Sequence, residues 1–259
     1  MSTNSNALQT DKPKQIYFFG TCLIDLFYPE AGLSAIELIE REGVEVLFPQ
    51  QQTCCGQPPF NSGYNHEAID VATKQIELLS KPIPIVVPSG SCAGMMKHHY
   101  PELFANHPMH SKAVELSTRV YELTEFLVRV LNISLVDKGE PVKVVMHTSC
   151  SARREMGVTE DGLSLLKQLN QVEVCEPERA SECCGFGGTF AVKQPEISAA
   201  MAEDKCKAIM QTGASQLLSG DCGCLMNLGG MMEKNQQFIR HEHLADFLLK
   251  RTKKLRDEK

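Results

Sequence analysis

Thr53-Cys54-Cys55-Gly56-Gln57 and Glu182-Cys183-Cys184-Gly185-Phe186 are the two stretches that decide how this chain is built. Each carries two adjacent cysteines followed by glycine, and the pairs stand 129 positions apart. Working outward, nearly the same offset recurs. Phe19-Gly20-Thr21-Cys22 is answered 128 positions later by His147-Thr148-Ser149-Cys150. Pro88-Ser89-Gly90-Ser91-Cys92 is answered by Ser219-Gly220-Asp221-Cys222-Gly223-Cys224, with Cys222 at 130 and Cys224 at 132 positions beyond Cys92. Four positions shifted by an almost constant amount mark an internal duplication. The expected organisation is two homologous halves, about 14–135 and 140–250, between a polar tail at 1–13 and a basic, polar tail at 251–259.

Each half alternates strand and helix signals. Apolar, β-branched runs predict strands at Gln15–Phe19, Val44–Phe48 and Ile83–Val87, then at Val142–Met146, Gln171–Val174 and Ser215–Leu218, with a strand-like Gln237–Arg240 near the end. Between them, helical spacing predicts helices near Pro29–Arg41, Asn65–Leu79 and Lys112–Leu131, and near Asp161–Leu169, Pro195–Gln211 and His243–Lys253. Successive βαβ units imply an α/β fold of mainly parallel sheet with helices on both faces. In such sheets ligands gather at the carboxyl ends of the strands. The cysteines fall just past predicted strands, in loops at those ends, so the four positions of each half can converge although about 70 residues separate the first from the last.

The composition is that of an ordinary globular protein: 259 residues, 22% charged and 42% hydrophobic. A net charge of −6 lacks the basic footprint of a nucleic-acid binder. No apolar stretch reaches the ~20 residues that span a bilayer. The start, Met1 to Thr10, has neither the basic nor the apolar run of a secretory signal, which points to the cytoplasm. Eleven cysteines in that compartment stay reduced, an odd number forbids a complete disulfide framework, and adjacent cysteines fit disulfide geometry poorly.

Thiolates are soft ligands, so zinc, iron–sulfur clusters and copper(I) are the candidates. Zinc sites usually present short Cys-x-x-Cys knuckles, and neither half has one. Adjacent cysteines on one loop suit a cluster in which each iron needs its own terminal thiolate. The preferred ligand set is Cys22, Cys54, Cys55 and Cys92 with Cys150, Cys183, Cys184 and Cys224, leaving Cys222 as the alternative to Cys224. Structural zinc and thiol–disulfide chemistry without a redox relay are the competing readings.

The spacing Cys-x31-Cys-Cys-x36-Cys, then Cys-x32-Cys-Cys-x39-Cys, resembles the duplicated cysteine-rich, or CCG, domain family. That domain occurs in heterodisulfide reductases, in the iron–sulfur subunit of glycolate oxidase and in lactate utilization proteins. Gly20–Asp25, Gln52–Pro58, Pro88–Met96, Glu182–Phe190 and Gly223–Gly230 are most similar to the lactate-utilization branch. The resemblance covers about 15–250. It implies iron–sulfur clusters of the [4Fe–4S] type and a subunit that relays electrons from L-lactate as it is oxidised to pyruvate. It also implies two partners, a second iron–sulfur protein and a third small subunit; any membrane contact would be peripheral and made through those partners. Glycolate or another 2-hydroxy acid is the alternative substrate. The family's heterodisulfide branch has Cys-x-x-Cys as its last motif. Here Ser89 and Asp221 stand at the first of those positions, so heterodisulfide chemistry does not carry over. With no Gly-x-Gly-x-x-Gly after the first strand and no Walker A motif, no nucleotide cofactor is expected.

Other chemistry-bearing residues receive plainer readings. Cys175 and Cys206 have no counterpart in the other half and read as core. His147, three residues before Cys150, is placed to support a cluster sulfur, but its counterpart is Phe19 and a satisfied core histidine is the preferred reading. His98, His99, His107 and His110 read as a solvent-facing loop, and His241 and His243 as preceding or capping the last helix. Asp221 reads as a turn residue rather than a ligand. Met95-Met96 and Met231-Met232 read as packing, and Lys250–Lys254 as a solvated helix end.

Overall fold

The computed structural model describes residues 12–237 and 239–253. Eight strands form two separate sheets of four: β1 (Gln15–Phe18), β2 (Glu45–Leu47), β3 (Ile85–Val87) and β4 (Val120–Glu122), then β5 (Val142–His147), β6 (Val172–Cys175), β7 (Gln216–Ser219) and β8 (Arg240–His243). Their spatial orders are β2-β1-β3-β4 and β6-β5-β7-β8, every neighbouring pair is parallel, and the second sheet repeats the order of the first. The inner strands read as continuous apolar runs because helices cover both faces. Ile85, Val86 and Val87 are all fully buried. No helix among the described residues is long and apolar enough to cross a membrane.

Helix Cys222–Lys234 and short helices opening at Cys22, Gly90 and Cys150 stand where no helix is expected, and two expected elements take another form. The single helix expected over Lys112–Leu131 is instead a helix at His110–Thr118, strand β4, and a helical run that restarts at Leu123 and widens into a π turn at Phe126–Val130. Val120 and Tyr121 have high strand preference, and pairing Ile85 with Val120 and Val86 with Tyr121 completes the sheet. Glu122 then restarts the helix through a capping box with Glu125. The last strand lies at Arg240–His243 rather than Gln237–Arg240, and Phe238 is outside the described residues. Its residues, Arg-His-Glu-His, carry no strand pattern, and pairing with β7 decides their conformation.

The halves share cores. One buried cluster joins Ile16, Phe18 and Leu38 of the first half to Val144, Leu165, Leu218 and Phe247 of the second. Helix Pro29–Glu40 packs on helix Leu244–Thr252, where the Ser34 hydroxyl donates to Asp246 at 2.6 Å. Arg251, expected at a solvated helix end, is buried against Asp137 in the connector between halves, with Nε and Nη2 at 2.8 and 2.7 Å from the carboxylate oxygens. Lys254 lies outside the described residues. Helix Gly90–Gly94 crosses helix Cys150–Arg154 so closely that a Cβ on Gly90 would stand 2.5 Å from that of Ala152. Only glycine permits this approach, and it sets the cysteine-bearing ends of the two halves side by side.

Candidate metal centre

The cysteines lie at the carboxyl ends of strands, and five of them stand in the first turn of a helix rather than in a loop. Cys22, Cys150 and Cys222 open helices Cys22–Phe27, Cys150–Arg154 and Cys222–Lys234, while Cys92 and Cys224 are the third residues of theirs. Thr21, Ser89 and Ser149 cap these helices, accepting from the N–H of Ile24, Cys92 and Ala152 at 3.4, 3.4 and 3.2 Å. The paired cysteines sit in the loops after β2 and β6.

Gly56 and Gly185 follow the pairs at φ of 87° and 85°, a left-handed conformation that other residues adopt at a cost. Space excludes a side chain as well, since a Cβ on Gly185 would lie 2.6 Å from the Ser198 carbonyl oxygen. The turn directs the Gly56 N–H to Cys54 Sγ and the Gly185 N–H to Cys183 Sγ, each at 3.4 Å. From opposite sides of the repeat, Tyr100 Oη donates to the Cys55 carbonyl and Asn227 Nδ2 to the Cys184 carbonyl, both at 2.8 Å. Buried Gln75 holds Thr53 Oγ1 at 2.7 Å, and buried Lys205 holds the Ala180 carbonyl at 2.8 Å. Neither anchor was marked by the motifs, because each is an ordinary helix residue whose partner is distant in sequence.

The thiols form two quartets with the same chain of contacts. Cys22 meets Cys54, Cys54 meets Cys55 and Cys55 meets Cys92. Likewise Cys150 meets Cys183, Cys183 meets Cys184, and Cys184 lies 2.9 Å from Cys224, sulfur to sulfur. Cys224 therefore stands where Cys92 stands, and Cys222 has no equivalent place. Hydrogen bonds from Cys22 and Cys55 pull the Cys54 thiol down to about 3, while the same contacts and burial push Cys22 and Cys55 upward. Contact with Cys183 and burial push Cys150 up in the same way. Four crowded thiols cannot all ionise without a compensating positive charge, which a bound metal would supply.

Both quartets and Cys222 line one cavity of about 310 Å3 at the junction of the halves. Asp221 sits in its wall, 4% exposed, and is not a simple turn residue. Its Oδ1 accepts from Ser89 Oγ at 2.6 Å, Ser91 Oγ at 2.7 Å and the Ser91 N–H at 3.2 Å, and its Oδ2 accepts from Ser149 Oγ. It thus ties the second half to the first.

His147 is buried, as a core histidine should be, but it is not satisfied: neither ring nitrogen has a hydrogen-bond partner among the described residues. A ring nitrogen and the sulfurs of Cys184 and Cys224 all lie within 4.8 Å of one another. Burial, with nearby Lys205 and Arg153, holds the imidazole down to about 3, so it is neutral. Of the histidines expected on a solvent-facing loop, His98 and His110 are exposed and His107 is half-buried outside helices, but the segment is largely helical. His98 and His99 lie on a helical run, and His99 packs on Phe60 with ring centroids 4.9 Å apart. His243 caps the last helix, accepting from the Ala245 N–H at 3.1 Å. Cys206, Met95, Met96 and Met232 are core, and Cys175 is half-buried against it.

The repeat seen in the cysteines is matched by comparison with known proteins: residues 16–97 and 144–229 each fit the family described as cysteine-rich domain, CCG. The chain belongs to the CCG family. Among its relatives are proteins called lactate utilization protein A. That of Shouchella clausii is 46% identical over 234 residues, covering 90% of this chain and 98% of the relative. That of Halalkalibacterium halodurans is 43% identical over 235 residues, covering 90% and 96%. Among solved structures, a hypothetical protein from Helicobacter pylori aligns with a TM-score of 0.67 at 11% identity. The alignment spans 96% of this chain and about half (51%) of that one, and at such identity it speaks to the fold alone. Within the CCG family signature, the structure explains the glycine: it makes the turn that points a backbone N–H at the first sulfur of each pair.

Proposed function

We propose that this CCG protein holds two iron–sulfur centres of the [4Fe–4S] type, one on Cys22, Cys54, Cys55 and Cys92, the other on Cys150, Cys183, Cys184 and Cys224. The observation that carries the reading is the pair of matching thiol quartets opening on one cavity. A tetrahedral zinc with sulfurs at about 2.3 Å needs almost no open volume, whereas a cavity of about 310 Å3 suits bulkier polynuclear centres. Bound there, such a centre accepts and returns one electron at a time. The chain's own residues set its surroundings: the Gly56 and Gly185 turns aim N–H groups at the sulfurs of Cys54 and Cys183, and Asp221 hydrogen-bonds serines of both halves beside the two quartets.

The names of the relatives support a role in lactate utilization, and the reading takes L-lactate as the source of electrons. Oxidation of L-lactate to pyruvate releases two electrons and two protons, and in this reading two one-electron centres pass the electrons on to a redox centre of a partner. The chain works in the cytoplasm as a subunit of an oxidoreductase complex with a second iron–sulfur protein and a third small subunit. Exposed apolar residues support docking at the cavity: Val192 lines it at 82% exposure, and the helix that opens with Cys22 also exposes Leu26 and Phe27. Anaerobic purification followed by iron, sulfide and zinc analysis tests the centres. Iron and sulfide in near-equal amounts support them, and zinc alone overturns them. Deletion followed by growth on L-lactate and on glycolate tests the substrate, and unimpaired growth on L-lactate in a strain with no second lactate-oxidising enzyme removes it.

A further inference from the structure

The two quartets are matched in sulfur but not in their surroundings. Phe19 follows β1, and its ring is fully buried. The equivalent place at the end of β5 is His147, 2% exposed, on the strand whose next neighbour β7 leads to Cys224. Whatever its charge, an imidazole carries at least one N–H donor, and a buried donor without an acceptor is rare in folded proteins. Here both ring nitrogens lack partners among the described residues, yet one lies within 4.8 Å of the sulfurs of Cys184 and Cys224. Thiol sulfur is a weak acceptor, while metal-bound thiolate or sulfide is a good one, so the missing partner is of a kind the filled site would supply.

Resting on the iron–sulfur reading above, we infer that His147 donates a hydrogen bond to sulfur of the second centre and so makes that centre the more oxidising of the two. An N–H aimed at cluster sulfur stabilises the extra negative charge of the reduced state and raises the potential. Phe19 offers the first centre no such donor. A first electron would then rest on the second centre and the next on the first, which orders the two centres in potential. Four thiolates already complete each quartet, so His147 acts on the centre as a positioning and tuning residue rather than as a ligand.

The test is a redox titration of the anaerobically purified full chain, followed by electron paramagnetic resonance, for the native protein, His147→Phe and His147→Gln. The expected result is two separable reduction steps, with His147→Phe moving the higher step down at least tenfold in its reduced-to-oxidised ratio, about 59 mV for one electron. The lower step stays in place, iron and sulfide contents are unchanged, and His147→Gln, which keeps a donor, recovers part of the shift. Unmoved potentials in His147→Phe with iron intact overturn the inference and leave the iron–sulfur reading standing. Native protein that carries zinc and no sulfide overturns both. Pulsed resonance on native protein labelled with 15N-histidine needs no variant: a weak coupling is expected, while no coupling, or the strong coupling of a directly bound nitrogen, overturns the donor role.

Discussion

Replacing Asp221 tests whether the carboxylate is a clasp between the halves or a metal ligand. In Asp221→Ala four donors lose their acceptor: the hydroxyls of Ser89, Ser91 and Ser149 and the N–H of Ser91. Ser89 and Ser91 lie 3.0 Å apart, hydroxyl to hydroxyl, and can bond each other. That leaves three donors unpaired, the Ser149 hydroxyl, the Ser91 N–H and one of the two remaining hydroxyl protons. Ser91 is only half-buried and its groups can reach water, so the loss is counted as about two buried donors at roughly 1–3 kcal/mol each, about 2–6 kcal/mol in all. For a chain of this size, at roughly 3 °C per kcal/mol, the melting temperature falls by roughly 6–18 °C. Asp221→Asn keeps one good acceptor oxygen and loses about 1–2 kcal/mol. With iron on the quartets as proposed, both variants keep the native iron content, because Asp221 spends its oxygens on the serines. Anaerobic thermal unfolding and iron analysis of the three proteins read this out. A change in stability within about 0.5 kcal/mol, the range of neutral surface substitutions, refutes the clasp. Loss of iron from Asp221→Asn without loss of stability makes the residue a ligand.

Three further outcomes are expected from the same geometry. Cys224→Ala loses the iron of one centre, roughly half the total, because a quartet short of one thiolate no longer completes its metal, while Cys222→Ser keeps nearly all. The reverse result in iron analysis would shift the register of the second quartet by two residues. Gly185→Ala destabilises by about 3 kcal/mol, combining a left-handed φ with a Cβ against the Ser198 carbonyl, whereas Gly213→Ala, also at positive φ but with open space around it, costs about 1 kcal/mol. Equal losses on denaturant unfolding would remove the steric argument. Burial holds the Glu122 carboxyl up to about 7 against opposing hydrogen bonds from Thr124 and Glu125. The folded protein therefore binds a proton that the unfolded chain releases above pH 4.5. The contribution is fully present below that pH and is lost as pH rises through 7, amounting to roughly 3 kcal/mol at 1.36 kcal/mol per pH unit. Glu122→Gln flattens the slope between pH 5 and 8, and an unchanged slope in denaturation midpoints counts against it.

The duplication, the parallel α/β fold and the eight cysteines were legible in the chain alone, because each is written in local terms. Buried central strands must be apolar runs, as in Ile85-Val86-Val87, and the repeat is carried by the spacing of the cysteines themselves. The outer strands were not legible to the same degree. Val120–Glu122 fits a helical period as well as a strand, and Arg240–His243 has no apolar alternation, so only pairing with β3 and β7 makes them strands. The clasp on Asp221 joins residues 130 and 132 positions apart, and the close approach of the helices at Gly90 and Ala152 joins parts of the chain that no local pattern links. His147 shows the division most clearly. Its sequence neighbours suit a satisfied core histidine, and whether a buried imidazole finds a partner depends on what the fold places around it. Here the fold places two cysteine sulfurs within 4.8 Å and leaves both ring nitrogens without a hydrogen-bond partner among the described residues.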